Sequence, residues 1–451
     1  MTRPIADPAA LVRSRAYAKL LVLAALLGVP ISAAAYGFLA LDSYLQKELF
    51  TALPQALGFA TAPAWWPLPV LFAGAIFAAL AIEYLPGEGG ASPAYGFALH
   101  PPPGPAQLPG VVLAALATLA FGMVLGPEMP LIALGGGLAV AATRLARHRL
   151  PDEAVSVIGA SGSFAAISAL LGSPIVGAFL LMEASGLGGP TMITALLPGL
   201  LAAGIGALIF TGLGAWTGLG PFSLAVHGLP HVGSPTAGEF GWALVIGAAC
   251  ALAGSGLRRG AVALRAYAAT RTMLALPVAG LVVAGLAIAF TAGSGRGTSL
   301  VLFSGQDSIG SLITRSATYS GLVLLLLIAC KGLAYSVSMG SFRGGPIFPA
   351  MFLGAAIGLA FSHLPGLDAV AGAAMGIGAM STVMLTLPLT SVLLATLLLS
   401  SDGVVVMPLV IVAVVTAYVL GALVLPSPEP ASAPAPATAP TPAKGQGQAK
   451  A

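Results

Sequence analysis

Gly126-Pro127-Glu128-Met129-Pro130-Leu131-Ile132-Ala133-Leu134-Gly135 places one carboxylate between two prolines, inside a long apolar run. A carboxylate at the centre of a bilayer costs roughly 2.5–3.5 kcal/mol on insertion scales, so Glu128 is a functional-site candidate by default. Gly126 and Pro127 break the preceding helix, and proline at a first helical position is pre-set to start another. A new helix is therefore predicted to begin at Glu128 or just before it. Its first amides lack partners and attract anions, including a carboxylate of the same chain.

The pattern recurs. Gly345-Pro346-Ile347-Phe348-Pro349-Ala350-Met351-Phe352-Leu353-Gly354 shares Gly-Pro-x-x-Pro-x-x-x-Leu-Gly with the first stretch. Ser168-Ala169-Leu170-Leu171-Gly172-Ser173-Pro174-Ile175 likewise resembles Thr382-Val383-Met384-Leu385-Thr386-Leu387-Pro388-Leu389. Gly-Pro pairs are common in membrane helices, but both matches lie a little over 210 residues apart, in the same order. An internal duplication is expected. Interrupted hydrophobic helices at corresponding places in two halves point to a transporter's midplane site.

With 58% hydrophobic and 7% charged residues and a mean hydropathy of +0.99, the chain is no soluble globular protein; those carry about 25% charged residues. Many apolar stretches reach the roughly 20 residues that span a hydrocarbon core. The fold class is an all-α polytopic membrane protein with an internal repeat and broken helices. The 59 glycines and 36 prolines suit close helix packing and broken helices. Cys250 and Cys330 lie in apolar runs and read as small core residues. The net charge of +4 is spread among loops, so nucleic acid is not implied.

Five segments are expected. Residues 1–14 form a cytoplasmic N-terminal segment, and 15–257 the first half of the membrane domain, carrying Glu128. A basic linker at 258–272 holds Arg258, Arg259, Arg265 and Arg271. Residues 273–425 form the second half, and 426–451 a disordered Pro/Ala-rich tail. Within the first half, a loop from Asp42 to Trp66 is predicted after the first span. Gly87 to Pro93 reads either as a surface loop or as a backbone cradle in which Ser92 donates to an anion. Glu183 is another membrane-level carboxylate, read as a structural or helix-end charge or as part of a proton path. Lys331, deep in an apolar run, either pairs structurally or lends positive potential to an anion path. His148 reads as a solvated partner of the Arg144–Glu153 charge cluster. His227 and His231 have a helical spacing, but Pro230 lies between them, so no metal is expected.

These motifs resemble the CLC family of chloride channels and chloride/proton exchangers. Gly126-Pro127-Glu128-Met129-Pro130 is similar to that family's G-x-E-G-P signature, and Gly345-Pro346-Ile347-Phe348-Pro349 to its G-x-F-x-P segment. Gly87 to Pro93 looks like a loosened G-S-G-x-P, and Lys331 stands where many members have a basic residue. The resemblance covers roughly residues 15–425. It implies an inverted repeat of two halves with many tilted and broken helices, and a homodimer in the lipid bilayer of the cytoplasmic membrane, each subunit with its own path for chloride or another monovalent anion, and no cofactor. Glu128 would be the gate. Ser92, Gly126, Met129, Gly345, Ile347 and Phe348 would contact the anion, Lys331 would support it electrostatically, and Glu183 would mark a proton path. Departures from the pattern shape the expectation further. Met129 and Pro346 replace glycines, Ala184 stands where proton-coupled members carry an inner glutamate, and no tyrosine occurs near Asp402–Pro408. A passive path gated by a protonatable glutamate is therefore expected; proton-coupled exchange of chloride or fluoride is the alternative. A membrane-embedded enzyme or a scaffold is a weaker rival: the isolated carboxylates lack the paired groups that catalysis needs.

Overall fold

The computed structural model describes residues 12–145, 152–185, 189–218, 226, 229, 231–399 and 403–424. The tail at 426–451, most of the N-terminal segment, and Arg147, His148, Arg149, His227 and Asp402 lie outside the described residues. Eight helices among those described are long and apolar enough to cross a membrane.

Helix α1 (Arg15–Lys47) starts at Ser14, whose side chain accepts from the Tyr17 amide. It passes Pro30 and runs on through a π-turn (Glu48–Ala52) and one further turn (Leu53–Ala56). Asp42 therefore lies in the helix and is buried, where a loop was predicted. Then follow α2 (Pro67–Tyr84), α3 (Leu108–Leu119), α4 (Glu128–Leu145), α5 (Asp152–Leu171), α6 (Pro174–Ser185) and α7 (Gly189–Thr217). The second set is α8 (Ala237–Thr270), α9 (Thr272–Ser294), a short α10 (Gln306–Thr314), α11 (Gly321–Ser341), α12 (Ile347–Ser362), α13 (Ala369–Leu385), α14 (Pro388–Leu398) and α15 (Gly403–Val424).

The expected linker at 258–272 is helical as far as Thr270. Its arginines, alanines and leucine are strong helix formers, and only Gly260 opposes them. The break falls at Arg271, with φ −144° and ψ 49°.

The duplication is visible element by element. Helix α1 packs on α5 and α7, α5 on α4, α6 and α7, and α2 on α3. In the second set α8 packs on α13 and α15, α13 on α12, α14 and α15, and α9 on α11. The breaks correspond as well: Gly172 and Thr386 both adopt left-handed backbone, φ 66° and φ 60°. Close approach of the central pairs requires glycine. A β-carbon at Gly135 would lie 2.3 Å from the Gly162 carbonyl, and one at Gly354 would lie 2.2 Å from that of Gly376. Such small-residue contacts replace hydrophobic collapse as the packing device in lipid. Helix α12 is buried almost throughout its length, which puts its start at the centre of the molecule.

Candidate functional site

The two Gly-Pro breaks meet. Gly126 N donates to Gly345 O at 2.8 Å and Gly345 N to Gly126 O at 2.6 Å, an antiparallel bridge between the repeats. The bridge brings the starts of α4 and α12 together. Pro346, at the cap position of α12, offers no side-chain acceptor to the first amides. Glu128 fills that role from the other repeat: its Oε1 accepts from the Phe348 amide at 2.8 Å. An uncapped helix start with a carboxylate against it is the arrangement that partial positive charge at an N-terminus favours.

Glu128, Ile347 and Phe348 are each 0% exposed, and Glu128 Oε2 has no hydrogen-bond partner. A β-carbon at Gly126 would stand 2.4 Å from a Glu128 carboxylate oxygen, which explains that glycine. Two cavities flank this position. One of about 280 Å³ is lined by Leu125 and Pro127, with Asp42, Gln46, Phe303 and Asp307. Another of about 190 Å³ is lined by Met129, Pro130, Gly87, Gly90, Ala91 and Arg343. Glu128 lines neither, while its chain neighbours line one each.

Other expected residues fall differently. Ser92 does not line the second cavity, although Ala91 beside it does; the Ser92 Oγ is buried without a partner. Gly87, Glu88, Gly89 and Gly90 all have positive φ, so the backbone turns tightly here. Lys331 is 0% exposed, but its Nζ donates to the carbonyls of Val301, Leu302 and Phe303 at 3.1–3.2 Å and sits 4.4 Å from the Phe352 ring centroid. Its nearest role is to satisfy the end of a 3₁₀ turn. Glu183 is a helix cap: Oε1 accepts from the Leu389 amide at 2.9 Å, and Oε2 from the Thr390 amide and hydroxyl at 2.7 and 2.6 Å.

Arg343 went unnoticed in the sequence. It is 3% exposed; Nε donates to the Glu88 carbonyl at 3.2 Å and Nη1 to that of Phe342 at 3.3 Å. It thereby holds the glycine loop with its charge facing the smaller cavity. The signal was present, a lone cation two residues ahead of the second Gly-Pro break, and the rule that singled out Glu128 applies to it equally. Tyr335 was also missed: its hydroxyl donates to the Pro346 carbonyl at 2.7 Å and braces the break.

The fold has solved counterparts. A slow cyanobacterial Cl⁻/H⁺ antiporter aligns over 89% of this chain and 94% of its own, with a TM-score of 0.73 and 18% identity. A CLC-type fluoride/proton antiporter aligns over 90% and 95%, with a TM-score of 0.63 and 21% identity. Among sequences, the chain is 28% identical over 357 residues to the "Putative ion-transport protein YfeO" of Salmonella paratyphi A, covering 77% of this chain and 81% of that one. The family model described as voltage gated chloride channel matches residues 73–421. With that match over most of its length, the chain belongs to the voltage-gated chloride channel family.

Proposed function

We propose that the protein carries chloride or a similar monovalent anion across the cytoplasmic membrane, as a homodimer with one path per subunit, and that Glu128 is the gate. The observation that carries this reading is the Glu128–Phe348 contact, a carboxylate occupying a helix N-terminus between two cavities. As an anion it holds the place a halide would take; neutral, it gives up its electrostatic claim on the amide. Gly126, Gly345, Ile347 and Phe348 line this position through backbone, Met129 flanks it, and Ser92 would add its unpartnered hydroxyl. Arg343 supplies the fixed positive charge on one side, and Lys331 acts at longer range.

Anion efflux from liposomes across pH tests the gate. Wild type is expected to speed up as pH falls, and Glu128→Gln, which mimics the neutral acid, to be fast and flat. Normal flux with an unchanged pH profile in that variant overturns the assignment. The rival reading, proton-coupled exchange, is favoured by the antiporters of like fold. A chloride gradient that drives protons uphill supports it. The full engagement of both Glu183 oxygens favours the passive path, because a group that caps a helix is poorly placed to shuttle a proton.

A further inference from the structure

The cavity on the Pro127 side of the gate is lined by acids, which is unexpected beside a path for anions. Asp42 on α1 and Asp307 at the start of α10 both line it, together with Gln46. Burial is graded along this route. Asp307 is exposed, Asp42 is 8% exposed and Glu128 is 0% exposed. Gln46 Nε2 donates to Asp42 Oδ2 at 3.1 Å, while Oδ1 is buried and has no partner. That lone oxygen is left open to a proton or a water, and two carboxylates share the one cavity. At about 280 Å³ the cavity has room for water, at about 30 Å³ per molecule.

We propose that Asp307 and Asp42 form a proton-binding site that loads the gate. Asp307 takes the proton at the mouth, the pair shares it, and water passes it on to Glu128 when that side chain swings past Pro127 toward the cavity. An O–H bond breaks at Asp42 and another forms at Glu128. Glu128 becomes neutral, Asp42 regains its charge, and bulk water reprotonates the pair through Asp307. This rests on Glu128 being the gate.

The surrounding charges leave the pair free for this task. Lys47 on α1 is exposed, and neither it nor the neighbouring Glu48 lines the cavity. From α4 only Glu128 is near, behind Pro127. Helix α5 bears acids at its first two positions alone, roughly 27 Å along the helix from Leu170, which lines the cavity. Helices α7, α12 and α13 carry no charged residue. Lys331 lies behind Phe303, bonded to its carbonyl.

The test is a double-variant cycle in liposomes, with pH set on the side of this cavity. Asp42→Asn and Asp307→Asn should each slow acid-stimulated anion efflux by about tenfold, less than the roughly 10²–10⁴-fold of a donor in direct contact, because water relays the proton. Asp42→Glu should restore most of it. In a Glu128→Gln background, which needs no proton, the same substitutions should change efflux less than twofold. Wild-type pH profiles in both single variants overturn the proposal, as does an equal slowing in the Glu128→Gln background. A saturable Na⁺ or Ca²⁺ effect on efflux that Asp42→Asn removes also overturns it, making the site a metal site. Infrared difference spectra separate its failure from that of the gate: a carboxylic-acid band lost in both Asp variants but kept in Glu128→Gln supports the pair even if Glu128 is not the gate.

Discussion

A β-carbon on Gly345 would stand 1.5 Å from Glu128 Oε2, far inside any contact distance. The second repeat therefore shapes the seat of the first repeat's carboxylate. Gly345→Ala is expected to expel that carboxylate and to leave efflux fast and independent of pH, resembling Glu128→Gln. Liposome efflux at several pH values, alongside a thermal melt to establish folding, checks this.

Glu183 gives the opposite expectation. Its three accepted hydrogen bonds fasten α6 to the start of α14 across the repeats. Glu183→Ala should lower stability by about 1–2 kcal/mol, the loss typical of a capping side chain, and leave the pH profile of efflux in place. A melting curve and the efflux assay together decide it; a flattened profile in a well-folded variant would return Glu183 to the proton path.

Removing Lys331 should be far more damaging. Lys331→Met strands three carbonyls, two of them fully buried, and each buried one costs about 1–3 kcal/mol when left without a donor. The variant is expected to fail to accumulate as folded protein, read by size-exclusion profile in detergent. Normal yield and melting temperature would show that those carbonyls find other donors.

Arg343 is expected to govern how strongly the anion is drawn in. Arg343→Gln should raise the half-saturating anion concentration roughly tenfold, about 1.4 kcal/mol of lost attraction, while Arg343→Lys keeps most of the attraction. Efflux as a function of chloride concentration measures both. An unchanged half-saturation in Arg343→Gln would remove it from the path.

Much of this was legible in the sequence because helix breakers act locally. Gly-Pro at 126–127 and 345–346 stand directly before helix starts wherever the rest of the chain goes, so the start of α4 and the repeat could be read directly. Which partners the charged side chains meet could not. Lys331 and Phe303 are far apart in sequence and touch only after folding, and the same holds for Glu183 and Thr390. Asp42 was misplaced for a related reason. Its polarity reads as the end of a span, whereas α1 continues past it because its burial is set by neighbouring helices. Arg343 and Tyr335 carry no local signature beyond their charge and hydroxyl, and their roles depend on the second repeat folding back on the first.

The paired amides of Gly126 and Gly345 bear on timing. They join the main chain of both repeats beside Glu128, the proposed gate, and so oppose a parting of the two strands there. What remains free to swing is one three-torsion side chain, and rotamer changes take picoseconds to nanoseconds where they are unhindered. Switching would then wait on the arrival of a proton and on local crowding, without any large rearrangement of the helices. Structures captured in acid and in base should superimpose along the backbone and differ chiefly in where a single carboxyl points.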